Sequence, residues 1–140
     1  MIRINDILDK VSEYRPQADL DLIERAYIFS ARAHAGQTRL SGEPYLSHPL
    51  EVAYILADMK LDPVSVASSL LHDVLEDTDT PPEELEKLFG PGVSQIVSGV
   101  TKLGELTFTS SRARQAESIR KMLLAMADDL RVILIKLADR

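Results

Sequence analysis

The chain contains no cysteine. Disulfides and thiolate metal sites are therefore excluded, and any metal must take nitrogen and oxygen ligands. No run of about 18 apolar residues occurs, so nothing reads as a membrane-spanning helix. The start, Met1-Ile2-Arg3-Ile4-Asn5, lacks the long apolar stretch of a signal peptide, which makes the cytoplasm the default expectation. An excess of basic residues is missing too. Sixteen Lys+Arg stand against 22 Asp+Glu, for a net charge of −6. A protein that coats nucleic acid needs a basic face, so DNA is not an expected partner. The sequence shows no internal repeat, low-complexity tract or domain linker, and strand-like patterns are nearly absent. What remains is 140 residues, 45% hydrophobic and 27% charged. That composition fits one globular domain over residues 1–140, long enough to bury a core.

Apolar residues recur at helical intervals almost throughout. Ile4, Ile7, Leu8 and Val11 form a first stripe that breaks at Pro16. A second, from Leu20 through Ile23, Ala26, Tyr27 and Ala31, stops near Gly36. Residues 37–47 carry Gly42 and Pro44 without a period and read as a loop. Pro49 suits the first turn of a helix to about Lys60, and Asp62-Pro63 opens another that runs to Thr78. Thr80 and two prolines start a short helix through Leu88, and Gly90-Pro91-Gly92 precede one near Val93–Leu103. Residues 104–111 read as a connection, followed by a helix from Arg112 to Ala127 and a last one from Leu130, capped by Asp128 or Asp129. That last helix is apolar nearly all round and is expected to be central. The fold class is all-α. A chain that stops at Arg140, directly after such a helix, reads as a fragment lacking further C-terminal helices and domains.

The chemistry concentrates in Leu70-Leu-His-Asp-Val-Leu-Glu-Asp-Thr78. On a continuous helix, with His72 at the origin, Asp73, Glu76 and Asp77 lie at about 100°, 40° and 140°. Ser65 and Ser69 share that arc, and Ala67, Leu70, Leu71, Val74 and Leu75 take the opposite one. The plain alternative is a solvated acidic face. Against it, three carboxylates within five residues repel one another unless a cation balances them. His48 stands between a Gly/Pro loop and Pro49, and Asp139 follows a run of aliphatics where a carboxylate needs a partner. His34 reads as a packing or capping residue. His48, His72, Asp73 and Asp139 make an N2O2 set suited to Mn, Fe or Zn. Glu76 and Asp77, further along, could act as acid or base, or hold water or a second cation. The residues suggest metal-assisted hydrolysis.

Five separated segments carry a resemblance: Ala33-His-Ala-Gly-Gln37, Arg39-Leu-Ser-Gly-Glu-Pro-Tyr-Leu-Ser-His-Pro49, His72-Asp-Val-Leu-Glu-Asp-Thr78, Val100-Thr-Lys-Leu-Gly104 and Lys136-Leu-Ala-Asp-Arg140. Together they resemble the N-terminal hydrolase domain of RelA/SpoT homologues, within the HD metal-dependent phosphohydrolase superfamily. The resemblance implies an HD-type helical bundle. It also implies removal of the 3′-pyrophosphate from guanosine tetra- or pentaphosphate, the alarmones of the stringent response, with Mn2+. Carried over by motif, His48, His72, Asp73 and Asp139 would ligate the metal, and Glu76 and Asp77 would activate and position water. Arg39, Ser41 and Tyr45 would contact the nucleotide, although by itself Arg39 reads more readily as a loop salt bridge. Family members continue past Ala138-Asp-Arg140 into Leu-His-Asn-Met, whose Asn contributes to the nucleotide site. Some synthetase-only homologues have lost the His-Asp and Glu-Asp pairs, but both stand intact here. Two other functions stay open: a nucleotide-binding regulatory module of a synthetase without turnover, and a stand-alone homologue acting on another 3′-phosphorylated nucleotide such as NADPH.

Overall fold

The computed structural model describes residues 2–35, 46–104, 135 and 137–139, without the side chains of Glu76 and residues 102–104. Among the described residues there are seven helices and no strand. They are α1 (Ile4–Tyr14), α2 (Leu20–Ala33), α3 (Ser47–Asp58), α4 (Pro63–Leu70), α5 (Val74–Asp77), α6 (Pro82–Phe89) and α7 (Pro91–Gly104). A helical turn near Ile135 ends at Asp139, whose N–H donates to the Ile135 carbonyl at 2.9 Å. The expected connection at 104–111 and helix at 112–127 fall outside the described residues apart from Gly104, which closes α7.

Local chemistry explains most helix ends. The Asp19 carboxylate accepts from Leu22 N–H at the start of α2, and Asp62 accepts from Ser65 N–H at the start of α4, with Pro63 in its first turn. Thr80 does not cap α6. Pro81 holds that position, and the Thr80 hydroxyl is bonded to Thr78. α3 begins at Ser47, two residues before Pro49, and α7 already at Pro91. Gly90 closes α6 at φ 90, a conformation that glycine adopts without strain. α3 ends in a full Schellman turn: Leu61 N–H reaches the Leu56 carbonyl and Lys60 N–H the Ala57 carbonyl. Lys60 takes the left-handed position at φ 62, and the Tyr14 hydroxyl donates to the Leu61 carbonyl.

α4 is the hub, packed against α2, α3 and α7. Its residues Ser65, Val66, Ala67, Ser68, Ser69 and Leu70 are all buried. Small side chains let three helices approach it closely, and hydrogen bonds offset the cost of burying the serines. Ser65 donates to the Asp62 carboxylate, and the hydroxyls of Ser68 and Ser69 donate to the Val64 and Val66 carbonyls. Ser65 and Ser69 therefore belong to the core rather than to an open polar face.

The helix expected from Asp62 to Thr78 is broken. α4 stops at Leu70, and Leu71, His72 and Val74 donate to carbonyls only three residues back. Leu71 and Asp73 sit near φ −100 with ψ close to zero, the bridge region of tight turns. Ser69 supplies a local reason, since its hydroxyl occupies a carbonyl of the preceding turn. The last segment also departs from expectation: Ile135 is fully buried but Leu137 is 58% exposed, so it is not covered all round.

Candidate metal centre

The broken helix aims His72 inward. Its side chain is fully buried and lies in the turn between α4 and α5. Nδ1–H donates to the Ser69 carbonyl at 2.6 Å. That bond holds the ring in one orientation and directs Nε2 into the site, the usual way a backbone carbonyl fixes a ligating imidazole. Nε2 stands 3.2 Å from Asp139 Oδ1 and 3.1 Å from Asp73 Oδ2. His48, in the first turn of α3, points Nε2 at the same Asp139 Oδ1. The two imidazole rings meet edge to face, centroids 5.6 Å apart.

One ligand atom each from His48, His72 and Asp139 lies within 4.8 Å of the others. Asp73 lies beside His72 but outside that three-way group among the described residues. Two nitrogens facing one carboxylate oxygen require a proton or a cation between them, and the sequence holds no Lys or Arg between Met59-Lys60 and Lys87 to supply charge from α4, α5 or most of α6. Burial opposes a charge on His72, yet the adjacent Asp139 and Asp73 carboxylates outweigh it and push its pKa up to about 10. Burial likewise opposes ionisation of Asp139, but contacts with His48 and His72 hold it well below the usual carboxylate range. The donor set, neutral imidazole nitrogens with carboxylate oxygens and no sulfur, fits a divalent transition ion. Among the described residues, His48, His72 and Asp139 are placed to hold it, with Asp73 beside His72.

The other expected residues fall differently. Asp77 is exposed on α5 and its N–H bonds the Asp73 carbonyl. Glu76 lies on the same short helix, with its side chain outside the description. Arg39, Ser41 and Tyr45 lie outside the described residues. His34 closes α2 as its C-cap residue and is buried. The Ser69 carbonyl has no counterpart in the sequence reading, because a backbone acceptor leaves no residue-type signal.

An all-α scaffold thus brings two histidines and a distant aspartate to one point. The family model described as HD domain covers residues 26–140. This chain belongs to the HD domain family. Within it, the HD domain is of the RelA/SpoT type, as its relatives show. A GTP pyrophosphokinase of Myxococcus xanthus is 56% identical over 133 residues, spanning 93% of this chain and 18% of that protein. The bifunctional (p)ppGpp synthase/hydrolase SpoT of Escherichia coli strain K12 is 50% identical over 130 residues, again 93% of this chain and 18% of that protein. A solved structure, described as a metazoan ortholog of SpoT that hydrolyzes ppGpp, matches with TM-score 0.68 and 34% identity. That match covers 84% of this chain and 65% of the other. The HD domain thus spans under a fifth of the length of these curated relatives. None of its described helices is long and apolar enough to cross a membrane.

Proposed function

We propose that this HD domain hydrolyses the 3′-pyrophosphate of guanosine tetra- or pentaphosphate to GDP or GTP and pyrophosphate, with Mn2+ as resident ion, in the cytoplasm. The observation that carries this reading is the meeting of His48, His72 and Asp139 around one carboxylate oxygen. It is supported by relatives whose names include (p)ppGpp hydrolysis. Water adds to the phosphorus on the 3′ oxygen, the 3′ O–P bond breaks, and the ribose hydroxyl is restored by a proton. A bound divalent ion supplies Lewis acidity and charge stabilisation at the phosphoryl group.

The chain's own residues supply the rest. The Ser69 carbonyl keeps the His72 Nδ1 proton away from the ion-facing nitrogen. His48 and Asp139 bring the first turn of α3 and the Ile135 segment onto the same point, and Asp73 adds negative charge beside His72. Glu76 and Asp77, on α5 directly after the ligand turn, take the water proton and return one to the leaving 3′ oxygen. Arg39, Ser41 and Tyr45 bind the guanine nucleotide, with Arg39 stacking on the base or forking onto phosphate.

One observation favours a second reading. The Myxococcus xanthus relative is named a GTP pyrophosphokinase, which suits a module that binds nucleotide and biases a synthetase without turnover. Assay of pyrophosphate release from guanosine tetraphosphate with Mn2+ separates the two. The wild-type protein is expected to release pyrophosphate, and Asp73→Asn to lose release while keeping its helical circular dichroism. Nucleotide binding without release by the wild type decides for the module. An Asp73→Asn protein with bound Mn2+ and unchanged turnover refutes Asp73 as a ligand.

A further inference from the structure

On the outer face of the bundle, α2 and the end of α6 enclose a groove of about 190 Å3. Arg25, Ile28, Phe29 and Arg32 of α2 and Leu88 and Phe89 of α6 line it. Its floor is apolar: Ile28 and Leu88 are 41% and 43% exposed, and Phe29 meets Phe89 edge to face at 5.6 Å. Its ends are cationic. Arg25 and Arg32 are seven residues apart, which puts them on one helix face about 10 Å from each other along the axis. Arg25 is oriented across the groove by its hydrogen bond to the Leu88 carbonyl at 3.1 Å. A basic-ended apolar groove on a chain of net charge −6 calls for an acidic, apolar counterpart.

The counterpart lies on the same molecule. α3 and its C-cap residue Met59 expose Glu51, Ile55, Asp58 and Met59 on one face. Ile55 and Met59 are 42% and 49% exposed, large apolar side chains left partly open to solvent. Glu51 and Asp58 are also seven residues apart, so two carboxylates stand about 10 Å from each other with an apolar anchor between them. The groove and the ridge match in spacing, charge and polarity. The Arg25–Asp21 pair that now holds one of these charges is solvent-exposed, with Arg25 47% and Asp21 76% exposed, and such a pair exchanges at little cost. Asp58 is itself 68% exposed, while its partner Lys10 is half-buried and also bonds the Tyr54 hydroxyl.

We propose that the α2/α6 groove of one copy docks the α3 ridge of a second copy. Ile55 enters the apolar floor, and Glu51 and Asp58 face Arg25 and Arg32. The two surfaces differ, so the contact is heterologous and leaves a free groove at one end of each pair and a free ridge at the other. The contact is independent of the proposed ion and of hydrolysis.

Sedimentation of the chain from about 10 to 500 µM tests this, a range suited to the weak affinities of small interfaces. The wild type is expected to rise in average mass beyond that of a dimer. Ile28→Asp, which blocks the groove, and Ile55→Asp, which blocks the ridge, are each expected to stay monomeric with unchanged circular dichroism. An equal mixture of the two is expected to form a dimer and nothing larger, because only one productive contact survives. A wild type that stays monomeric throughout overturns the proposal. So does an Ile55→Asp protein that associates as the wild type does, since the groove would then hold some other element.

Discussion

If a divalent ion occupies the centre, it must displace the proton that Asp139 and Asp73 otherwise keep on His72. In metal-free protein that proton is held up to about pH 10. The sign follows from the raised pKa: the charged imidazole dominates below that value and is lost as pH rises through it. A ligating imidazole must be neutral, so binding at pH 7 carries the cost of deprotonating His72 across three pH units. At about 1.4 kcal/mol per unit this is about 4 kcal/mol, or roughly a thousandfold in affinity relative to a neutral site. Because the His72 side chain is fully buried, solvent does not screen the effect away. Mn2+ affinity should therefore rise about tenfold per pH unit between roughly pH 6.5 and 8.5, with about one proton released per ion. Calorimetric titration in two buffers of different ionisation enthalpy, on protein first stripped with chelator, reads both quantities. An affinity flat with pH, or no proton release, would refute the reasoning, because His72 would then either carry no proton in the metal-free protein or not ligate through Nε2.

Glu76→Gln is expected to keep Mn2+ and lower turnover by about a hundredfold or more, the scale of a positioned acid or base; loss of the ion in the purified variant would reassign Glu76 as a ligand. Lys60→Gly should stabilise the protein by about 0.5–1 kcal/mol, since relief of a left-handed residue exceeds the added chain entropy of glycine. Lys60 lies at φ 62 in the Schellman turn after α3, and urea unfolding with an unchanged slope checks the effect; equal or lower stability would show that the lysine side chain has a compensating role.

The sequence alone determined the helical class and the starts of α2 and α4, because those depend on neighbours within one turn. Asp19 and Asp62 accept from the N–H groups three residues on, and Pro63 needs no N–H partner where it stands. Residue types also determined which side chains are able to hold an ion, and the separated motifs pointed to the HD domain. Tertiary structure decided the site itself. His48 and Asp139 are 91 positions apart and His72 and Asp139 are 67 apart, and no local period encodes their meeting. The angular reading of His72, Asp73, Glu76 and Asp77 assumed one continuous helix, but the chain turns between Leu70 and Val74. That turn trades regular hydrogen bonds for the Ser69 carbonyl's hold on His72. Burial of α4 on every side likewise comes from the three helices packed around it. A serine at that position looks polar in sequence, and only packing turns it into core.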